Sequence, residues 1–270
     1  MPPADSTAIA VAQFTPSDDR EANLAAIRDL ATLAASRGAS LVVFPEYSSF
    51  FTAELGPHTV AAAEPLDGPF VAGLEVIAKV LGIHLVAGMV ETSDVPSHAY
   101  NTLVALDPHG ALVAKYRKIH LYDAFGTRES DVLAAGPVDE PETFALGDIT
   151  VGLQTCYDIR FPEVTRRLVD AGAELVLVPS EWVRGPLKEQ HWRTLITARA
   201  IENTVYIAAA DQAPPLGAGN SMIVDPMGVE LATIGEETAV ALAWVSRERL
   251  ASVRATNPAL GLRRFGIRPL

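Results

Sequence analysis

Ile149-Thr150-Val151-Gly152-Leu153-Gln154-Thr155-Cys156-Tyr157-Asp158-Ile159-Arg160-Phe161-Pro162-Glu163 is the stretch on which the fold of this 270-residue chain turns. Residues 149–153 form a short apolar, β-branched run behind a Gly147-Asp148 turn, which predicts a buried strand. Between 161 and 171, Val164, Leu168 and Val169 fall at apolar positions and Gly172 follows, which predicts a helix with a glycine stop. Cys156, the single cysteine, falls between the two. Backbone N–H groups at a helix start lack intrahelical acceptors and the helix dipole favours an anion, so this junction is expected to lower a thiol pKa. A lone cysteine is more often a small buried hydrophobe. What the rest of the chain brings to Cys156 decides between the two.

Working outward, residues 143–146 and 149–154 read as a hairpin leading into the cysteine. Far upstream, an apolar strand at 8–14 is followed by N-cap candidates Asp18 and Asp19, then by Leu24, Ile27, Leu30 and Ala34 at helical spacing up to Gly38. A fully apolar strand at 41–44 ends at Pro45. Continuous apolar strands around a helix predict a sheet buried on both faces. A second helix carries Val71, Leu74, Ile77 and Leu81 and stops at Gly82, before a strand at 84–90. Strands at 100–106 and 112–116 flank the turn Asp107-Pro108-His109-Gly110. Residues 119–141 lose all periodicity, the mark of a functional or mobile segment.

Beyond the cysteine come a strand at 175–178, a helix at 188–202 and a strand at 205–210. A hairpin at 222–224 and 230–234, a strand at 239–245 and a short polar helix at 246–254 complete the pattern. Gly217-Ala218-Gly219 has no helix behind it and reads as loop flexibility rather than a phosphate cradle. Each half opens strand–helix–strand and closes in hairpins, with no linker between them. The expectation is a single α/β domain over 1–270, its core at about 8–245. A tail at 246–270, with Arg263, Arg264 and Arg268, is suited to subunit contacts.

Composition narrows the function classes. Hydrophobic residues make up 49%, enough for a sizeable core, and the net charge is −12. Nucleic acid and anionic membrane surfaces need clustered Lys and Arg, so neither is an expected partner. A basic pocket inside an acidic protein remains open. One cysteine cannot close an intrachain disulfide, which fits a cytoplasmic setting. The first basic residue is Arg20, so no signal peptide is expected, and no apolar run reaches membrane-spanning length.

A cysteine nucleophile needs a base. The six histidines, His58, His84, His98, His109, His120 and His191, sit in no pairing motif, and neither a zinc spacing nor a Gly-x-Ser-x-Gly elbow occurs. A carboxylate is the other candidate. Glu46 follows Phe44-Pro45 at the carboxyl end of a strand, and Lys118 lies just past the 112–116 strand. Alone, each has a plainer reading, as a solvated loop acid or part of a solvated basic cluster. Together with Cys156 they form a set in which every member lies just beyond a strand end, where open α/β sheets place ligands.

Phe44-Pro45-Glu46, then Tyr116-Arg117-Lys118-Ile119-His120-Leu121, then Cys156-Tyr157-Asp158-Ile159-Arg160-Phe161-Pro162-Glu163, resemble in order and spacing the three signature blocks of the nitrilase (carbon–nitrogen hydrolase) superfamily. His191-Trp192 ahead of Ala198-Arg199-Ala200-Ile201-Glu202-Asn203, and Asp225-Pro226-x-Gly228, extend the likeness over nearly the whole chain. The resemblance implies an α-β-β-α sandwich, two mostly mixed sheets face to face with helices outside. It also implies a homodimer or larger oligomer, with no metal and no organic cofactor. It places the catalytic triad on Glu46, Lys118 and Cys156, and a second glutamate on Glu129.

The implied reaction is hydrolysis of a small amide through a thioester. Cys156 attacks, Glu46 moves the protons, Lys118 and the Tyr157 N–H meet the oxyanion, and Glu129 orients Lys118 or the amide nitrogen. The cysteine block is most similar to the ω-amidase and deaminated-glutathione amidase branch, whose substrates carry a carboxylate at the far end. Arg160 or Arg184 is then a carboxylate-binding fork, against an ordinary ion pair of Arg160 with Glu163 or Asp158. Tyr47, Tyr157 and Trp182 are candidates to line the pocket, against ordinary core packing. The surroundings of Ser180-Glu181-Trp182 match no subgroup. Other readings are an N-carbamoyl-amine or nitrile hydrolase, a catalytically idle partner-binding member, and a redox sensor that uses only the cysteine.

Overall fold

The computed structural model describes residues 5–269; residues 1–4 and 270, the ends of the expected domain, lie outside the described residues. The first half runs β1 (Ser6–Gln13), α1 (Arg20–Ser36), β2 (Leu41–Val43), α2 (Pro57–Ala61), α3 (Pro69–Leu81), β3 (His84–Thr92), β4 (Ala99–Leu106), β5 (Leu112–Arg117) and the short β6 (Leu133–Ala134). The second runs β7 (Thr143–Leu146), β8 (Ile149–Leu153), α4 (Pro162–Asp170), β9 (Leu175–Ser180), α5 (Lys188–Asn203), β10 (Tyr206–Asp211), β11 (Met222–Val224) and β12 (Glu230–Thr233). β13 (Ala239–Ser246) and α6 (Arg247–Thr256) close the chain.

The local signals act as their chemistry requires. The Asp19 carboxylate accepts from Ala22 N at 3.0 Å and caps α1. Gly82 ends α3 with φ +65°, a left-handed conformation that glycine adopts without steric cost.

Two mixed sheets form. One has the order β13-β1-β2-β3-β4-β5, with β6 beside β4; the other has β12-β11-β10-β9-β8-β7. The central strands β1, β2 and β3 are parallel, as are β8, β9 and β10. Side chains alternate across each strand. Ile9 and Val11 of β1 face Leu175 and Leu177 of β9 in the core between the sheets. Ala10 and Ala12 point the other way, into a layer with Ile27 of α1 and Leu74 of α3. Val176 and Val178 likewise point outward, to Leu168 of α4 and Trp192 and Ile196 of α5. The result is the expected helix–sheet–sheet–helix sandwich.

Three features depart from the sequence expectation. β13 leaves the second half and pairs antiparallel with β1 along its whole length, Ser6 opposite Ser246 through Gln13 opposite Ala239. The irregular 119–141 region holds a 3-10 turn, Glu129–Asp131, and the β6 strand. The segment expected as a tail from 246 opens with α6, whose Leu250 and Val253 are buried, so the core extends past 245.

Candidate active site

Glu46 follows β2, Lys118 follows β5 and Cys156 lies beyond β8, all at carboxyl ends, and the two sheets bring them together. Lys118 is the hub. Its Nζ lies 2.9 Å from Glu46 Oε1 and 2.8 Å from Glu129 Oε2, with Lys118 and Glu46 each 1% exposed. Every carboxylate oxygen in this cluster has a donor. Asn101 Nδ2 reaches Glu46 Oε1 at 2.6 Å and the Glu181 N–H reaches Oε2 at 2.7 Å. The Tyr47 hydroxyl donates to Glu129 Oε1 at 2.8 Å and the Tyr122 N–H donates to Oε2 at 2.6 Å.

Close backbone approach makes this possible. A side chain at Gly88 of β3 would place its Cβ 2.6 Å from Glu46 Cα, so only glycine lets the Glu46 loop lie against the strand. The Gly88 N–H donates to Pro45 O at 3.1 Å and Gln212 Nε2 to Glu46 O at 2.9 Å, which fixes the loop on both sides. Tyr47 takes φ +58°, a strained conformation for a bulky residue, at the turn that aims Glu46 inward.

Cys156 also has a positive φ, +43°. It opens a 3-10 turn, Cys156–Arg160, not the α-helix itself; α4 begins six residues later, at Pro162. Asp158 pins this turn to the lysine block, accepting from Thr155 N (3.2 Å), Tyr116 Oη (2.7 Å) and His120 N (3.0 Å). Tyr116, Lys118 and His120 are alternate residues at and just past the end of β5; the outer two bond Asp158 and the middle one enters the site. Asp158 N–H donates to Thr155 O at 2.9 Å, whereas the Tyr157 N–H belongs to the first-turn groups without an intrahelical acceptor.

The electrostatics correct one expectation. Burial pushes the Cys156 thiol well above its usual range, Glu46 adds to the rise, and Lys118 only opposes it. The cysteine therefore rests as a thiol, its Sγ donating to Glu181 O at 3.5 Å, and needs a base to ionise. Burial also pushes the Glu46 carboxyl above the usual carboxylate range, against the pull of Lys118. Burial on its own would lower the Lys118 pKa, but Glu129 and Glu46 outweigh it and hold the group well above its usual value, as an ammonium.

Glu46, Lys118, Glu129 and Cys156 line one cavity with Tyr122, Tyr157, Glu181, Trp182, Val183 and Lys188, whose free volume is about 10 Å³, room for a single water. A far larger groove, about 530 Å³, lies elsewhere, between Arg117, Pro137, Arg167 and Arg268, and contains none of the four. Size does not mark the site; convergence of charged side chains does.

Tyr157 and Trp182 line the cavity, whereas Tyr47 does not. It is 2% exposed, and its hydroxyl is committed to Glu129, so it positions the glutamate. Arg184 is occupied by Glu236 (2.7 Å) and Glu189 (3.8 Å) at the surface. Arg160 makes no ion pair with Glu163 or Asp158. Its guanidinium lies 4.7 Å over the Trp182 ring, its Nε is buried without an acceptor, and Nη2 stands 3.5 Å from His191 Nδ1. Sequence reasoning missed Asn101, Tyr122, Glu181 and Lys188. Glu181 follows β9 at its carboxyl end, the same signal that marked Glu46. Among the described residues, no group of three or more His, Cys, Asp or Glu is placed to hold a metal ion, and no helix is long and apolar enough to cross a membrane.

Buried glutamates around a lysine, a strained cysteine and two face-to-face sheets define a cysteine hydrolase. A carbon-nitrogen hydrolase family model matches residues 8–255, and the chain belongs to that family, within the nitrilase superfamily. It is an enzyme of the ω-amidase and deaminated-glutathione amidase branch, a cysteine hydrolase of small amides. The chain is 39% identical to the deaminated glutathione amidase of Escherichia coli O157:H7 over 263 residues, 95% of this chain and 97% of that one. It is 34% identical to the omega-amidase NIT2 of Homo sapiens over 238 residues, 83% of each chain. Among solved structures, an amidase from Nesterenkonia superposes with a TM-score of 0.78 at 29% identity, over 96% of this chain and 98% of that one. A variant of that amidase shows covalent addition of the acetamide moiety of fluoroacetamide at its active-site cysteine.

Proposed function

We propose that the chain hydrolyses an ω-amide of a small dicarboxylate to the acid and ammonia, through a thioester on Cys156. The observation that carries the mechanism is the meeting of Cys156, Glu46 and Glu129 around one buried ammonium, Lys118. Glu46 takes the thiol proton as Sγ attacks the amide carbonyl. Lys118 Nζ and the Tyr157 N–H stabilise the oxyanion. As the tetrahedral intermediate collapses, Glu46 passes the proton to the leaving nitrogen and ammonia departs. Water, deprotonated by Glu46, then attacks the thioester; the C–S bond breaks, Sγ takes the proton back from Glu46, and the acid departs. Glu129 holds Lys118 in place and keeps it charged. The acetamide adduct on the cysteine of the Nesterenkonia amidase variant supports the nucleophilic role given to Cys156.

The finer choice of substrate rests on the unpaired positive charge around Trp182. Lys188, which lines the cavity, and the partly buried Arg160 beside it, neither in an ion pair, suit an anionic substrate end. The names of the two relatives, a deaminated glutathione amidase and an omega-amidase, support the same class. The resting cavity is smaller than any such amide, so Lys188, Tyr122 or the loop carrying Phe125 gives way on binding.

The test is ammonia release from a panel of ω-amides of dicarboxylates, neutral amides, N-carbamoyl compounds and nitriles, with Cys156→Ala as the blank. Release from the ω-amides, about 10⁴-fold or more above the variant, is the expected result. Preferential turnover of carbamoyl compounds or nitriles would replace this substrate class.

A further inference from the structure

The outer end of the cavity carries charge that the chemistry does not use. Lys188 opens α5 and is 6% exposed. An ammonium has three N–H donors. One goes to Tyr122 Oη at 2.9 Å; among the described residues Nζ makes no second hydrogen bond and no ion pair, and Glu181 and Asp211 act on it only at longer range. Instead Nζ stands 4.9 Å from the ring centroid of Tyr122, 4.7 Å from Phe125 and 4.9 Å from Trp182. Aromatic faces attract a cation but do not neutralise it. Arg160 also stands by Trp182, 4.7 Å from the ring, and likewise makes no ion pair. Two neighbouring cations, largely withdrawn from water, are therefore left without a counter-ion in contact, in a chain of net charge −12. Buried charges are ordinarily paired, and here the protein supplies no partner. Glu181, whose carboxyl lines the same cavity, makes no hydrogen bond or ion pair with either cation, and burial drives it well above its usual range.

We propose that Lys188 is a specificity-determining residue of this site: its ammonium, with the Tyr122 hydroxyl beside it, receives the carboxylate at the far end of the substrate. The inference rests on the amidase reading of the same pocket and names the group that separates acid-ended amides from neutral ones. Lys188 touches no reacting atom in this assignment. Tyr122, its pKa pushed up to about 12 by burial, keeps its own proton and offers the carboxylate a second donor.

The experiment compares the monoamide of succinic acid with butyramide, which has the same chain length and a neutral end. The ratio of their kcat/KM values is measured in the unmodified enzyme, in Lys188→Met and in Lys188→Arg. The expected result is a ratio at least about tenfold smaller in Lys188→Met, through KM of the acid-ended amide, with the preference restored in Lys188→Arg. An unchanged ratio in Lys188→Met overturns the proposal while leaving the amidase reading intact. Should the unmodified enzyme cleave neither compound, the amidase reading is what fails. Calorimetric binding of succinate to Cys156→Ala with and without Lys188→Met then decides: tenfold weaker binding supports the lysine's role, and equal or undetectable binding in both overturns it. Lys188→Gln replaces Lys188→Met if the latter does not fold.

Discussion

The two ends of the cavity are built on opposite principles. At the inner end one ammonium faces two carboxylates, and all four oxygens accept hydrogen bonds from Lys118, Asn101, Tyr47 or backbone N–H groups. At the outer end two cations face aromatic rings, and no carboxylate pairs with either. The inner end hangs on strand ends and on glycine-tight backbone contacts. The outer end hangs on a helix start and the irregular segment that carries Tyr122 and Phe125. The difference separates two tasks. A group that must stabilise developing charge works best when it is already oriented and its environment need not reorganise. A group that must recognise a charged ligand works when the ligand completes it.

Breaking the inner end should have the larger effect. Lys118→Met removes one oxyanion donor, with an expected loss of about 10²–10³ in kcat. It also leaves Glu46 and Glu129 facing each other in a buried space, with an expected destabilisation of about 3–5 kcal/mol. That destabilisation should be worst at alkaline pH and ease in acid, where the carboxyls take up protons in place of the lost ammonium. Unfolding measured at both pH values checks this; an equal loss at both would mean that Lys118 matters for packing and not for charge balance.

Gly88→Ala attacks the same end through the backbone alone. A Cβ 2.6 Å from Glu46 Cα forces the loop away from β3. Overpacking of this kind costs about 1–3 kcal/mol, and the displaced Glu46 should lower kcat with little change in KM. A variant with normal kcat would show that the Glu46 loop tolerates being moved, contrary to the reading of a fixed inner end.

The inner end was legible in the sequence because each of its parts has a local signature. β2 is an unbroken apolar run and β8 a short, mostly apolar, β-branched one, their ends are marked by Pro45 and by the polar Gln154-Thr155, and the blocks that follow carry Glu46 and Cys156. The outer end was not legible, although one local conflict pointed to it. Lys188 sits at the first position of α5, where the helix dipole disfavours a cation, and it follows Leu187 in a left-handed conformation. A residue that breaks a local rule is a candidate for function. The pairing of β13 with β1 had no such sign, since a contact across more than two hundred residues leaves no trace in either strand. The positioning role of Tyr47 was hidden for a related reason: its partner, Glu129, is eighty-two residues away. The lowered thiol pKa expected at Cys156 failed because a short 3-10 turn replaces the α-helix start, and burial dominates there.

Glu181 joins the two ends and offers the smallest and sharpest probe. Its backbone belongs to the inner end, the N–H donating to Glu46 and the C=O accepting from Cys156. Its side chain points into the cavity, where burial holds the carboxyl well above its usual range and no described group hydrogen-bonds it. A carboxyl whose pKa is raised on folding binds its proton more tightly in the folded state. It stabilises the fold fully below the ordinary carboxylate range, and that contribution is lost as pH rises through the folded pKa. Glu181→Gln keeps the shape and cannot ionise, so it removes the loss. The melting temperature of Glu181→Gln relative to the unmodified chain should therefore rise with pH through the range above the ordinary carboxylate pKa. A gap that stays flat between pH 5 and pH 8 would mean that the Glu181 carboxyl titrates as it does in water, and that the outer end holds a negative charge of its own.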